Sequence, residues 1–290
     1  MSPDRDREEI ARLWQEISAE RRRATRAAEL AEAFERQAQR PPESMQPFRL
    51  RMAALHRAME ARHLACARLH RRHVLRLQKW DPVDVRHRPV FMATVAEQFD
   101  VDSAAVTLFG QSRDELLVAA SDVTSRAAQE LECTVSEGPA RTASQARGAV
   151  LVSGGDLLTR WPRYGPAVSD LGIRSIVAVP LHCGANYVGA LCGFTTRGEL
   201  PEQVVSAATS VADTLANSLL LAADGLHMRL DLFEDADYLA TAHQASGMVA
   251  VRCDCDIDTA LALLRARAFA MSAPIGEIAR QVIDGTCQIC

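Results

Sequence analysis

The amino-acid sequence predicts an α+β protein with a helical N-terminal hairpin, a mainly antiparallel sheet flanked by helices, and a C-terminal bundle of three helices. Two observations predict this. Apolar residues have helical spacing up to about residue 80, change to short strand-like runs, and return to helical spacing after residue 201. Net charge changes too, because residues 1–80 are basic overall and the remainder is acidic. With 290 residues, 48% of them apolar, the chain can form about two domains with cores of their own.

Residues 5–79 are predicted to form a helical hairpin. A first apolar stripe with helical spacing weakens into alanines before Pro41-Pro42 interrupts it, and a second stripe continues to Leu77. Because alanines bury little apolar surface, we expect this arm, residues 1–80, to need a partner and to contribute to a homodimer.

The middle of the chain contains five short apolar runs separated by polar or glycine-containing stretches, a pattern typical of strands. The last two runs are joined by HCGAN, which indicates a hairpin turn and so an antiparallel pair. The stretch between the second and third runs is rich in Ala, Ser, Gln and Glu and is predicted to be helix and loop. The five runs span residues 104–109, 115–120, 149–154, 175–181 and 187–194.

A long amphipathic helix is predicted from Pro201 to about Ala223, with the proline in its first turn. Its apolar face includes Val211 and Leu215. We expect a homodimer to form through this face, through the arm, or through both.

Three short helices are predicted to complete the chain. Asp256 is placed to cap the second of them, and Gly285 to end the third. The predicted spans are about residues 234–249, 256–271 and 272–285.

Four segments of the middle region resemble the GAF domain, in the form common in bacterial regulators. They are Glu137-Gly138-Pro139-Ala140, Arg160-Trp161-Pro162, the run from Gly172 to Leu181, and Val188-Gly189-Ala190-Leu191. The resemblance implies a sensor domain over residues 83–225 that can take a small-molecule ligand. Family members that bind cyclic nucleotides carry a motif containing lysine. Lys79 is the only lysine here, so we expect no tight binding of cyclic GMP or cyclic AMP.

Residues 243–285 resemble the ANTAR domain, with markers at Gln244-Ala245, Gly247, Ala260, Leu264-Arg265, Ala268 and Ile278-Ala279. The resemblance implies an RNA-binding domain over residues 230–290. Such a domain binds paired hairpins in nascent transcripts near a terminator and causes transcription antitermination under control of the sensor. We expect its RNA surface to mix arginines with small residues that allow close approach. The candidate RNA-binding residues are Gln244, Ala245, Gly247, Arg252, Arg265, Arg267 and Arg280.

This segment departs from the ANTAR pattern at Ser246, a position that is commonly basic in the family. Because it has few arginines and is acidic overall, we expect weak RNA binding unless a dimer presents two domains to two hairpins. The alternative is a protein-interaction or ligand-sensing regulator whose bundle no longer binds RNA and docks a partner or the basic arm instead.

Histidines and cysteines mark further candidate sites. His63, Cys66, His70 and His73 lie on one helical stripe, but the outer two are roughly 15 Å apart, so one ion cannot bind all four. We expect a polar contact between helices there. His182, Cys183 and Cys192 flank the predicted hairpin and could attach a haem or bilin, although such residues are more often structural. A metal- or haem-dependent redox sensor is therefore a third, weaker hypothesis.

Four of the eight cysteines, Cys253, Cys255, Cys287 and Cys290, form a C-x-C and a C-x-x-C pair that superficially resembles a zinc site. A predicted helical hairpin separates the two pairs, so we expect no metal. The cysteines are too dispersed for a disulfide framework, and we expect reduced thiols.

No enzymatic activity or cofactor is expected. The sequence contains no Gly-rich phosphate loop, no G-x-S-x-G and no H-E-x-x-H. The charged opening is unlike a secretory signal, and no apolar run reaches the roughly 18 residues of a membrane helix. We therefore expect a cytoplasmic protein that does not bind membranes.

Overall fold

A computed structural model describes residues 3–80, 90–109, 115–183, 186–220, 238–271 and 273–290. Contacts divide the chain into two compact units. One comprises Met1–Pro89 with Asp213–Leu221, and the other Val90–Ala212 with Ala222–Cys290. The predicted domain boundaries stay predictions, and the connection over residues 221–237 lies outside the described residues.

The predicted helical hairpin is confirmed. Helix α1 spans Pro3–Ala38, helix α2 spans Gln46–Lys79, and a single 3-10 turn over Glu43–Met45 joins them. Small side chains on α1 allow close approach, since Ala24, Ala27 and Ala31 are all buried. Pairs of polar side chains make further contacts between α1 and α2.

The stripe of histidines on α2 is part of this packing. The Nδ1 atom of His63 lies 2.7 Å from Glu20 Oε2 on α1, and His70 and His73 are buried. Arg57 forms a second ion pair between the helices, with Glu35 at 3.1 Å. Among the described residues no three histidine, cysteine or carboxylate side chains converge to hold a metal ion.

All five predicted strands are present and form one antiparallel sheet. Its order is β2-β1-β5-β4-β3, so the β4–β5 hairpin occupies the centre together with β1. The strands are β1 Ser103–Phe109, β2 Glu115–Ala120, β3 Val150–Ser153, β4 Ser175–Cys183 and β5 Asn186–Thr195. The two strands of the central hairpin, β4 and β5, are almost wholly buried, which explains why they are continuous apolar runs.

Six further helices are described between residues 91 and 220. They are α3 Phe91–Gln98, α4 Val123–Val135, α5 Pro139–Ala146, α6 Asp156–Arg160, α7 Tyr164–Asp170 and α8 Gln203–Leu220. The periodicity of the sequence predicted α8 and the helical stretch of α4 and α5. It missed α3, α6 and α7, which are at most eight residues long and too short to show a repeat. We refer to residues 90–212 as the sheet domain.

The face of α8 predicted to form a dimer interface is not exposed. Val211 retains 5% of its surface and Leu215 1%. An amphipathic pattern shows only that one face is apolar, and here that face is buried within the chain. The expectation of a dimer through this face was wrong.

The C-terminal bundle, residues 238–290, contains α9 Tyr238–Arg252, α10 Ile257–Met271 and α11 Ile275–Ile283. Asp256 caps α10 as predicted: its Oδ1 accepts a hydrogen bond from Thr259 N at 2.7 Å, which lowers the pKa of the carboxyl. The core of the bundle is assembled from small and aliphatic side chains. Its buried members are Ala242, Ala245, Val249, Ala260, Leu261, Leu264, Ala268, Ile275, Ile278, Ala279, Val282 and Cys287.

None of the helices in the described ranges is both long and apolar enough to cross a membrane.

Candidate functional site

The interior of the sheet domain contains polar side chains with unused hydrogen-bonding groups. Gln129 on α4 accepts a hydrogen bond from Thr107 on β1, but among the described residues its Nε2 atom has no nitrogen or oxygen partner and lies near only the thiol of Cys192. The hydroxyl of Tyr164, the first residue of α7, is also buried and unpartnered. A buried polar atom without a partner is costly, so these groups mark a candidate ligand site in the sheet domain.

The polar groups of this site are uncharged, although the carboxylate of Glu132 lies near them. Burial raises the pKa of Tyr164 well above its usual value, and the nearby carboxylate of Glu132 raises it further. Burial also raises the pKa of Cys192 on β5, so this side chain is a neutral thiol. The interior therefore presents an amide, a phenol and a thiol, a set that suits a small polar ligand without strong charge.

The position of Gln129 could have been found in the sequence. It lies on the same helical stripe as Ser125, Ala128 and Glu132, all of which are buried. Tyr164 gave no such signal, because α7 is too short to define a face.

The residues that carry the GAF resemblance hold α5 and α7 in place. Glu137 Oε1 accepts hydrogen bonds from the backbone nitrogens of Arg163 at 2.8 Å and Tyr164 at 3.1 Å. The Trp161 indole donates to Thr142 Oγ1 at 2.9 Å. The motif thus orients Tyr164 towards the interior.

Buried Glu132 makes a similar connection between α4 and α5. Its two carboxylate oxygens accept the backbone N–H groups of Ala140 at 3.2 Å and Arg141 at 2.7 Å. Gly138 packs so closely against this side chain that a Cβ there would lie 2.6 Å from the Glu132 carboxyl carbon. Glycine is therefore required at this position of the motif.

The predicted attachment residues do not form a common site. His182 packs edge-on against Tyr187, with ring centroids 4.6 Å apart, and Cys192 is fully buried. The side chain of Cys183 lies outside the described residues.

The bundle packs against the sheet domain through α4. A cleft of about 310 Å³ separates α10 from the end of α4, and its lining includes Arg163 of the sheet domain and Arg265 and Phe269 of the bundle. Burial raises the pKa of Glu130 on α4, while the positive charges of Arg126 and Arg280 act in the opposite direction. Arg280 of α11 is therefore close enough to interact with the half-buried carboxyl of Glu130 in the sheet domain.

The predicted RNA-binding residues do not share one surface. Gln244, Arg252, Arg267 and Arg280 are exposed, whereas Gly247 and Arg265 are half-buried. The two arginines of α10 point in different directions: Arg265 lines the cleft beside the sheet domain, and Arg267 faces solvent. This follows from their spacing of two residues on a helix.

Ala245 does not lie on a contact surface, contrary to the prediction from the sequence. It is 0% exposed and belongs to the core of the bundle, so its small size serves packing between helices rather than approach of RNA. Its neighbour Ser246 is also buried and donates a hydrogen bond to the carbonyl of His243 at 2.8 Å. A long basic side chain at residue 246 would disturb this packing.

The expectation of reduced thiols was wrong for one pair. Cys253 and Cys290 are joined by a disulfide, with Cα atoms 5.8 Å apart. The sequence predicts a helical hairpin between these two cysteines, which suggested that they lie far apart. In the folded bundle, however, the end of α9 and the segment after α11 line the same cleft of about 250 Å³, which includes Val249 and Val282.

Comparison with known proteins adds a family match. A family model described as a GAF domain matches residues 91–219. No curated protein sequence is significantly similar to the chain.

Two solved structures resemble it weakly. One is a domain of a two-component sensor histidine kinase protein from Sinorhizobium meliloti, with 18% identity, a TM-score of 0.33, and coverage of 44% of this chain and 83% of that one. The other is SdiA from Escherichia coli, with 14% identity, a TM-score of 0.36, and coverage of 74% and 96%. The family match, the antiparallel sheet and the motif contacts described above agree, and residues 91–219 of this chain form a GAF domain.

Proposed function

We propose that the protein is a cytoplasmic, non-enzymatic regulator in which the GAF domain senses a signal and the C-terminal bundle binds RNA hairpins to cause antitermination. The observation that carries the proposal is the packing of the bundle on α4 of the sensor. Gln129 on α4 is one of the unpartnered polar groups of the interior, and Glu130, the next residue, interacts with Arg280 of the bundle. A ligand that engages Gln129 would therefore act on the helix that the bundle touches.

The exposed arginines support RNA as the partner of the bundle. Arg252 and Arg267 are both exposed, and positive side chains on a surface bind phosphates in a salt-dependent way. Since Arg265 lies in the cleft, only part of the predicted surface faces solvent in this arrangement. Weak binding by one bundle is the expected result, and two bundles in a dimer would raise affinity by roughly 100-fold.

The arm is the remaining candidate for the homodimer. Phe48, Leu55 and Met59 on α2 are spaced by seven and four residues and are exposed by 45%, 48% and 37%. Apolar residues with this spacing suit a helix–helix interface. Light scattering should give a dimer for the wild type and a monomer for the Leu55→Glu/Met59→Glu double variant, with the matched Arg71→Glu change on the same helix without effect.

The RNA proposal is tested by filter binding at two salt concentrations with single- and double-hairpin RNAs. Arg252→Glu and Arg267→Glu should each weaken binding, and Arg→Ala at a phosphate contact should reduce the salt slope by roughly one. Arg160→Glu, an equal charge change at an exposed site on α6, is the matched control. If the wild type does not bind at low salt and the bundle variants leave read-through unchanged, the bundle is a protein-interaction module, as in the alternative hypothesis.

A further inference from the structure

The cysteines of the C-terminal bundle are not among the residues proposed to bind RNA. Residues 253–290 contain four of the eight cysteines of the chain. Cys253 and Cys290 are paired, whereas Cys255 and Cys287 are free thiols. The bundle thus combines one disulfide with two further thiols in the sequence spacings C-x-C and C-x-x-C.

The disulfide fastens the end of the segment that follows α11. After α11, the backbone N–H groups of Thr286 and Cys287 donate to the carbonyl of Gln281 at 2.8 and 3.0 Å, and the Cys287 side chain is buried in the core. Within the described residues, no backbone hydrogen bond holds Ile289 or Cys290. Ile289 packs against the core of the bundle, and the covalent bond ties Cys290 itself to Cys253, directly after α9.

The pair is accessible to small thiols. Cys290 is exposed, Cys253 is half-buried, and both line the open cleft of about 250 Å³ that Arg252 also lines. Two cysteines of the sheet domain differ, since Cys133 and Cys192 are buried. Thiol–disulfide exchange depends on access, so a small thiol should attack the Cys253–Cys290 bond readily, whereas a small disulfide should react slowly with the buried thiols of Cys133 and Cys192.

We propose that Cys253 and Cys290 form a reversible redox site that exchanges with low-molecular-weight thiols and disulfides. When it forms, the thiolate of exposed Cys290 attacks a small disulfide RSSR and releases RS⁻, giving a mixed disulfide. The thiolate of Cys253 then attacks the Cys290 sulfur and releases the second RS⁻. Two electrons pass from the two protein thiols to RSSR, and the two protons from the thiols leave on two RSH molecules. The reverse steps, with excess RSH, release the segment after α11.

Thiol counting tests the exchange. The full chain is equilibrated with reduced and oxidised glutathione at a series of ratios, quenched with acid, alkylated and weighed by mass spectrometry. The number of alkylated cysteines should fall from eight to six in one step, and digestion should give a single linked peptide containing Cys253 and Cys290. Reducing glutathione alone should restore all eight.

Amide exchange tests the release. In oxidised wild type, the hydrogen-bonded N–H groups of Thr286 and Cys287 should exchange at least tenfold more slowly than in reduced wild type. Cys290→Ser should exchange fast under both conditions, while Cys255→Ser should keep the difference between the two.

Three outcomes would overturn the proposal. In the first, the pair stays fully oxidised or fully reduced at every glutathione ratio. In the second, another pair of cysteines is linked. In the third, purified protein holds zinc in stoichiometric amount with four thiols protected from alkylation. None of these outcomes depends on whether the bundle binds RNA.

Discussion

The sheet domain and the C-terminal bundle belong to one compact unit but are stabilised in different ways. The described core of the sheet domain includes large aromatic side chains, those of Phe91, Phe99, Trp161, Tyr164 and Phe194. The core of the bundle contains no aromatic residue among its buried members and is closed by a disulfide. A module of about 50 residues buries too little apolar surface to be very stable, so the disulfide adds stability that the small core does not provide. The comparison indicates that the stability of the bundle, unlike that of the sensor, depends on redox conditions.

Truncating an aromatic core residue should have the largest effect. Phe194→Ala should destabilise the sheet domain by about 3–5 kcal/mol, because the fully buried ring leaves a cavity between β5 and the helices. Phe269→Ala is the matched control in the bundle, since that ring is 64% exposed and its loss should cost less than about 0.5 kcal/mol. The urea dependence of amide exchange in β1 and β5 measures the first change and that in α10 the second. Equal losses would show that the Phe194 ring is not buried as described.

Loss of the disulfide should have the second-largest effect on stability. Cys253→Ser opens a link between residues that are 37 positions apart. Loop-closure entropy then predicts a loss of about 2–4 kcal/mol. Amide exchange in α10 and α11, the helices inside the loop, should accelerate accordingly, while β1 and β5 remain unchanged. Cys255→Ser should cost less than about 1 kcal/mol, since that thiol makes no covalent link. A variant as stable as the wild type under oxidising conditions would contradict this account.

Two tyrosine hydroxyls in the sheet domain should respond with opposite signs. Tyr164→Phe removes a buried hydroxyl without a partner and should stabilise the domain by about 1 kcal/mol. Tyr187→Phe removes a hydroxyl that donates to the carbonyl of Ala143 at 2.9 Å and should cost about 1 kcal/mol. Urea denaturation of both variants gives the comparison. A loss of stability in Tyr164→Phe would mean that the hydroxyl is bonded in solution.

The smallest effect should come from a carboxylate at the edge of the sheet domain. Asp102 Oδ2 accepts hydrogen bonds from Thr196 N at 2.7 Å, Thr195 Oγ1 at 2.8 Å and Thr196 Oγ1 at 2.9 Å, and these bonds lower the pKa of the carboxyl. Asp102→Asn should cost roughly 1 kcal/mol or less at pH 7, since the group is exposed.

The pH dependence has a definite sign. A depressed pKa in the folded state stabilises the protein above the unfolded-state pKa of about 4, and this contribution disappears as the pH falls through the folded-state value. The difference between wild type and Asp102→Asn should therefore shrink in acid.

Most of the fold could be predicted from the sequence, because strand and helix periods are local properties of the chain. The runs at 104–109 and 175–181 differ from strands β1 and β4 by at most two residues at either end. The Asp256 cap and the break at Pro41-Pro42 depend on single residues and their immediate neighbours, and they were also predictable.

The sequence alone did not predict how individual side chains are oriented towards partners that are distant in the chain. The apolar face of α8, buried Ala245 and the Cys253–Cys290 pair all depend on which surfaces pack together, and a periodic pattern does not contain that information. Residues 37 positions apart meet only because α9 and α11 end beside each other in the folded bundle. That placement follows from the burial of Val249, Leu264 and Ile278 in one shared core, a property of all three helices together rather than of any one segment.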